Sequence, residues 1–196
     1  MIEAISSKLA IYLLGKIEAD DYDTEYEILE YGIECIINML IPILFYTAFA
    51  IYNRFLIEML VWIFCLLFYR NLIGGYHAHS HIKCIIQSTV FGLISLYVAT
   101  LDYIVDMQNK KNILCVLLII HLFVKPIIHH SEKNNITFIK QRKVLVFLTL
   151  FVAGLLISLS GKALPSISNS VFVGIISAEI LYLIAVIQKR MKMKTT

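Results

Sequence analysis

Charge is scarce in this chain. Asp, Glu, Lys and Arg together make up 16% of its 196 residues, where a soluble domain carries about a quarter. With 59% hydrophobic residues and a mean hydropathy of +0.80, too little polar surface is left to face water, which excludes an ordinary soluble globule. Gly (8) and Pro (3) are few as well, so little interrupts a helix. Strict alternation of apolar and polar residues is missing, which excludes a membrane β-barrel. No basic face with polar flanks is present, and no nucleic-acid partner is expected. No CxxC pair occurs; Cys35, Cys65 and Cys115 sit in apolar runs and read as buried thiols behaving as small hydrophobes. Residues 1–17 mix Glu3, Lys8 and Lys16 with apolar residues and lead into acidic ones, which is not the pattern of a cleavable signal peptide.

What is present is a series of continuous apolar runs, at about 32–51, 55–70, 84–102, 113–128, 144–161 and 169–187. Each approaches the ~20 residues needed to cross a bilayer core, with 17 to 25 tolerated. The predicted fold is all-α: a polytopic integral membrane protein of about six transmembrane helices, forming one membrane domain over 1–196. Ahead of the bundle at 32–187, Ile2, Ile5, Leu9, Tyr12, Leu13 and Ile17 recur at helical spacing. They predict an N-terminal amphipathic helix, either lying at the lipid interface or packed on the rest of the chain. The acidic run Glu18, Asp20, Asp21, Asp23, Glu25, Glu27 and Glu30 completes a cytoplasmic segment 1–30 and reads as a solvated linker or helix, and 188–196 forms a basic cytoplasmic tail.

Orientation follows from the basic residues. With both termini cytoplasmic, 13 of the 17 Lys and Arg fall inside and 4 (Arg54, Lys110, Lys111 and Lys162) fall outside. No internal repeat supports an inverted-repeat transporter. Glu34, Lys125 and Glu179 are ionisable residues in or at the ends of spans, and such residues are functional candidates. Glu179 lies deepest, and the sequence assigns it no role.

Chemistry concentrates in residues 70–84, between two spans, which hold three of the six histidines. Gly74 and Gly75 form a break that suits a tight turn at the membrane. His77 and Cys84 have the makings of a thiol nucleophile and its base: an imidazole takes the thiol proton and later protonates a leaving amine. Their separation is about two helical turns, roughly 10.5 Å, so the segment between them must bend if they are partners. His81, three residues before Cys84, is the nearer partner on a regular helix. Helix geometry alone therefore leaves His77 and His81 both open. A metal site of His77, His79, His81 and Cys84 and an interfacial loop meeting headgroups are the rival readings.

Arg70-Asn71, Gly74-Gly75-Tyr76-His77-Ala78 and Cys84 together resemble the signature of the accessory gene regulator protein B (AgrB-like) family, quorum-sensing membrane peptidases of Gram-positive bacteria. Tyr31-Gly32-Ile33-Glu34 is similar to the family's first helix, and the stretch from Pro126 to Lys140, Arg142 and Lys143 to its large cytoplasmic loop. Tyr69 stands where the family often has a second basic residue beside Arg70. The resemblance implies a cysteine endopeptidase of the cytoplasmic membrane with its active site on the cytoplasmic side, needing no metal or cofactor. Cys84 would be the nucleophile and His77 the general base. Arg70, Gly74, Gly75, Lys140, Arg142 and Lys143 would support the site or bind substrate. The partners implied are an AgrD-like precursor peptide, the lipid bilayer and a second copy in a homodimer. Cleavage would leave a thioester on Cys84, and a Cys or Ser of the peptide would close it to a thiolactone or lactone. The alternatives are another membrane thiol enzyme, such as an acyltransferase, and a non-enzymatic peptide permease.

Overall fold

A long apolar run in lipid has one local way to satisfy its backbone N–H and C=O groups, and that is a helix. The computed structural model describes residues 2–15, 22–74, 80–101, 106–123, 136–160 and 163–195. Every regular element among them is an α-helix: α1 (Ile2–Leu14), α2 (Tyr22–Asn53), α3 (Leu56–Ile73), α4 (His81–Thr100), α5 (Met107–Phe123), α6 (Ile136–Ser160) and α7 (Pro165–Thr195). Among the described residues, five stretches are long and apolar enough to cross a membrane: Glu25–Asn53, Leu56–Ile73, His81–Thr100, Ile139–Ser160 and Pro165–Gln188. The span expected at 113–128 corresponds to α5, whose 17 residues rise about 25 Å, and residues 124–135 lie outside those described. The acidic run is helical from Tyr22 onward, continuous with the first span.

Helix starts follow local chemistry. Asp106 caps α5, its carboxylate accepting the Asn109 N–H at 3.0 Å. Pro165 opens α7 at the position where a missing N–H costs nothing. The link between α2 and α3 passes through Arg54 at φ 63°, with the Phe55 N–H on the Ala50 carbonyl at 3.0 Å.

The helices sort into two compact units. The first comprises Met1–Phe49 and Ala78–Leu93: α1, most of α2 and the first part of α4. Here α1 buries Ser6, Ala10 and Leu14, one per turn. It meets α2 where Ser7 and Tyr26 hydroxyls pair at 2.8 Å and the Ser6 hydroxyl reaches Glu34 Oε1 at 3.3 Å. The predicted apolar residues Ile5, Leu9, Tyr12 and Leu13 are exposed. Helices α2 and α4 meet at Tyr46, whose hydroxyl donates to the Ser88 carbonyl at 2.5 Å. The Tyr46 ring lies against Gly92, where any Cβ would overlap it.

The second unit comprises Ala50–His77 and Ile94–Thr196. Its central helix is α7: 56% of that span is buried, against 28% for the next most buried. Trp62, Leu66, Tyr69 and Ile73 of α3 pack with Val171, Ile175, Ala178 and Tyr182 of α7 and with Val146, Leu150, Ala153 and Ile157 of α6 in one core. Gly174 admits close contact, since a Cβ there would stand 2.8 Å from the Trp62 carbonyl oxygen and 3.3 Å from the Leu66 nitrogen.

Outward faces carry Leu44, Phe45, Phe64, Phe151 and Leu159, as lipid-facing surfaces do. Two of the cysteine expectations need correction. Cys35 and Cys115 are exposed and not buried in protein, and Cys65 is half-buried. An apolar run in a membrane protein turns many of its residues to lipid, so apolar neighbours in sequence do not imply burial. Lys110, read as a loop residue, is buried within the second unit instead. Its ammonium donates to Asn169 Oδ1, and Asn169 Nδ2 donates to the Leu101 carbonyl at 2.8 Å.

Candidate active site

The residues singled out by the sequence fall on three helix ends. In the second unit, α3 stops at Gly74, whose N–H closes the last turn on the Arg70 carbonyl at 2.9 Å. Gly74 adopts φ 81°, ψ 175°, a conformation that a Cβ would strain. From α6, Arg142 Nη1 donates to the Asn71 carbonyl at 2.8 Å. A cation is thus held against the negative end of α3, and the structure gives Arg142 a helix-capping contact that the sequence did not predict. Lys140 is exposed and Lys143 half-buried on the same helix. Gly75, His77 and His79 lie outside the described residues.

In the first unit, α4 begins at His81. Ser80 caps it: its hydroxyl faces the Lys83 N–H at 3.4 Å, and its carbonyl accepts the Cys84 N–H at 2.9 Å. Cys84 thereby sits in the first turn of α4, half-buried. One turn earlier, His81 is held on both ring nitrogens. Nε2 lies 3.3 Å from Glu34 Oε2, and Nδ1 lies 2.8 Å from Asn38 Nδ2. Glu34 and Asn38 are one turn apart on a single face of α2. The Glu34 side chain is 14% exposed and that of His81 31%.

A second histidine–carboxylate pair lies in the core of the second unit. Glu179 Oε1 on α7 accepts from the Tyr69 hydroxyl of α3 at 2.5 Å and lies 2.7 Å from His121 Nε2 of α5. Tyr69 and His121 meet edge to face with ring centroids 6.2 Å apart, and Tyr182 closes the other side at 6.0 Å. The sequence flagged Glu179 and noted Tyr69 only as a departure beside Arg70, while His121 went unremarked. The available signal was that a carboxylate at membrane depth requires partners, and His121 is a lone imidazole within an apolar run.

A model of the family described as accessory gene regulator B matches residues 6–188, nearly the whole chain and all of the segment 70–84. The chain belongs to that family. Members of the accessory gene regulator B family are membrane proteins that process an autoinducing peptide from an AgrD precursor. No curated protein and no solved structure matches the chain. The matched range takes in the end of α3 at Arg70–Gly74 and the basic side chains that open α6 in the second unit, and separately the start of α4 at Ser80–Cys84 in the first.

Proposed function

We propose that this protein is a membrane cysteine endopeptidase of quorum sensing. It removes the C-terminal tail of an AgrD-like precursor and closes the remaining segment into a thiolactone or lactone. The observation that carries this reading is the family match over residues 6–188, a range that includes Gly74-Gly75-Tyr76-His77-Ala78 and Cys84. The environment of His81 supports His77 as the base, because both His81 ring nitrogens are engaged by Glu34 and Asn38.

In this mechanism His77 takes the Cys84 thiol proton as Sγ attacks the scissile carbonyl. The tetrahedral intermediate collapses, the C–N bond breaks, and His77 delivers its proton to the departing amine. The signal segment is left as a thioester on Sγ. His77, neutral again, takes the proton of a peptide Cys thiol or Ser hydroxyl as that group attacks the thioester carbon. Cys84 leaves as thiolate and recovers the proton from His77. The thioester retains much of the activation needed for ring closure, which hydrolysis would dissipate, so excluding water at the membrane surface favours the ring. Lys140, Arg142 and Lys143 would meet an acidic precursor tail on the cytoplasmic side, with both termini also cytoplasmic.

The test is co-expression with a tagged precursor, following tail release and ring formation by mass spectrometry. Cys84→Ser and His77→Ala are each expected to abolish tail release. Unchanged processing without Cys84 overturns the assignment and brings the acyltransferase and permease readings forward. Charge reversal at Lys140, Arg142 and Lys143 is expected to weaken processing, and intact processing removes the tail-binding role.

A further inference from the structure

We infer that Glu34, Asn38 and His81 form a positioning clamp that sets the first turn of α4, and with it the Cys84 thiol, for attack on the peptide. The inference rests on the peptidase reading above. It names positioning residues for that reaction and no further nucleophile or base.

The clamp sits one helical turn from the nucleophile. His81 is the first residue of α4, and Cys84 closes the same turn through its N–H on Ser80. A helix start is the part most given to fraying, because its first N–H groups lack intrahelical partners. Ser80 supplies one cap, and its contact to Lys83 is long at 3.4 Å. The imidazole of His81 adds a tether to a second helix through both ring nitrogens.

This tether is not the sole tie between the two helices. Helices α2 and α4 are already joined at Tyr46, by the hydroxyl bond to Ser88 and the fit of the ring against Gly92. Ser88 stands about two turns, or roughly 10 Å, beyond His81. What Glu34 and Asn38 add is control of the turn that carries Cys84. The Ser6 hydroxyl of α1 lies 3.3 Å from Glu34 Oε1, sharing its proton with the Glu3 carbonyl at 3.0 Å.

The clamp also accommodates either charge state of His81. With Asn38 Nδ2 donating to Nδ1, the ring is neutral and Nε2 carries the proton 3.3 Å from Glu34 Oε2. In that arrangement Asn38 Oδ1 is buried without a partner. Turning the amide over presents Oδ1 to a protonated Nδ1, and the imidazolium then donates to Asn38 and faces the Glu34 carboxylate as an ion pair. His81 stays tethered whichever form is present, which suits a holding role.

Misplacing a reactive group by about 1 Å costs on the order of a hundredfold in rate. Wild type and variants are purified, reconstituted in liposomes and given synthetic precursor peptide. Tail release is measured for kcat and KM, and Cys84 alkylation by iodoacetamide is mapped by mass spectrometry. Glu34→Ala and His81→Phe are each expected to lower kcat about tenfold to a hundredfold, with KM within about twofold. Cys84 alkylation should change in each variant, reporting the altered thiol setting without substrate. The double variant should be no worse than the poorer single, as for two halves of one contact, and the exchange Glu34→His with His81→Glu should restore part of kcat.

Should either single variant fail to reach the membrane folded, Glu34→Gln and Asn38→Asp carry the same comparison, each altering one contact to the ring with little change of shape. Single variants within twofold of wild-type kcat, effects that multiply in the double variant, or a rise in KM alone each overturn the clamp. Cys84→Ser, run alongside, separates the two ideas. If it cleaves normally the peptidase reading fails, and if it is inert while the clamp variants work normally only the clamp fails.

Discussion

Among the described residues two glutamate–histidine pairs join helices, and they differ in almost everything except composition. Glu179 and His121 are 9% and 4% exposed, and a tyrosine hydroxyl converges on the same carboxylate oxygen as the imidazole. Glu34 and His81 are 14% and 31% exposed, contact at 3.3 Å, and share the ring with an amide that can turn over. The first pair is enclosed by aromatic rings in the best-packed part of the molecule. The second stands at a helix start beside the thiol. The same two side chains thus serve as a core fastening in one place and, on the clamp proposal, as an adjustable hold beside Cys84 in the other, and the surroundings decide which.

The largest effect that would break this contrast is on stability. Glu179→Leu should cost about 3 kcal/mol, because it leaves His121 and the Tyr69 hydroxyl buried without their acceptor. Thermal unfolding in detergent measures it, and an unchanged midpoint would mean the pair is not a fastening. Adding His121→Leu should recover much of that loss, since removing both partners of a buried pair is far milder than removing one. Glu34→Ala, by contrast, should shift the midpoint little and act on turnover instead.

Tyr69→Phe should cost about 1 kcal/mol, the scale of a single interhelical hydrogen bond in a membrane protein. Gly174→Ala should destabilise by about 1–3 kcal/mol, because its Cβ meets the α3 backbone at Trp62. Gly92→Ala should cost less, since the Tyr46 ring can swing aside where a backbone cannot.

The smallest expected effect concerns Lys110, which lies outside the five spans. Burial holds its ammonium below the ordinary lysine value, with Asp106 partly opposing. The unfolded chain therefore binds this proton more readily than the folded one. Stability should rise with pH between the folded value of Lys110 and the ordinary value of 10.5. Lys110→Met should flatten that rise in an alkaline titration of the unfolding midpoint.

Much of this architecture was legible in the sequence. Continuous apolar runs located the helices because lipid leaves the backbone no alternative, and α3 and α4 begin and end within a few residues of the expected bounds. The family resemblance carried the motif at 70–84. The side-chain pairings were not legible, because each joins residues far apart in the chain. Glu34 finds His81 across 47 positions, and Glu179 finds Tyr69 across 110. The burial of Lys110 was hidden for the same reason, since its partner Asn169 lies on another helix. Helical spacing named His81 as a candidate partner of Cys84 but gave no sign that α2 would occupy both of its nitrogens.

The placement of Glu179 has a consequence for how the chain is made. Its partners belong to α3 and α5, which leave the ribosome before α7 does. A carboxylate entering the bilayer early in synthesis would meet only hydrocarbon. Arriving after both partners, it can pass from the translocon to a waiting hydroxyl and imidazole, and the order of synthesis becomes part of how this helix is admitted to the membrane.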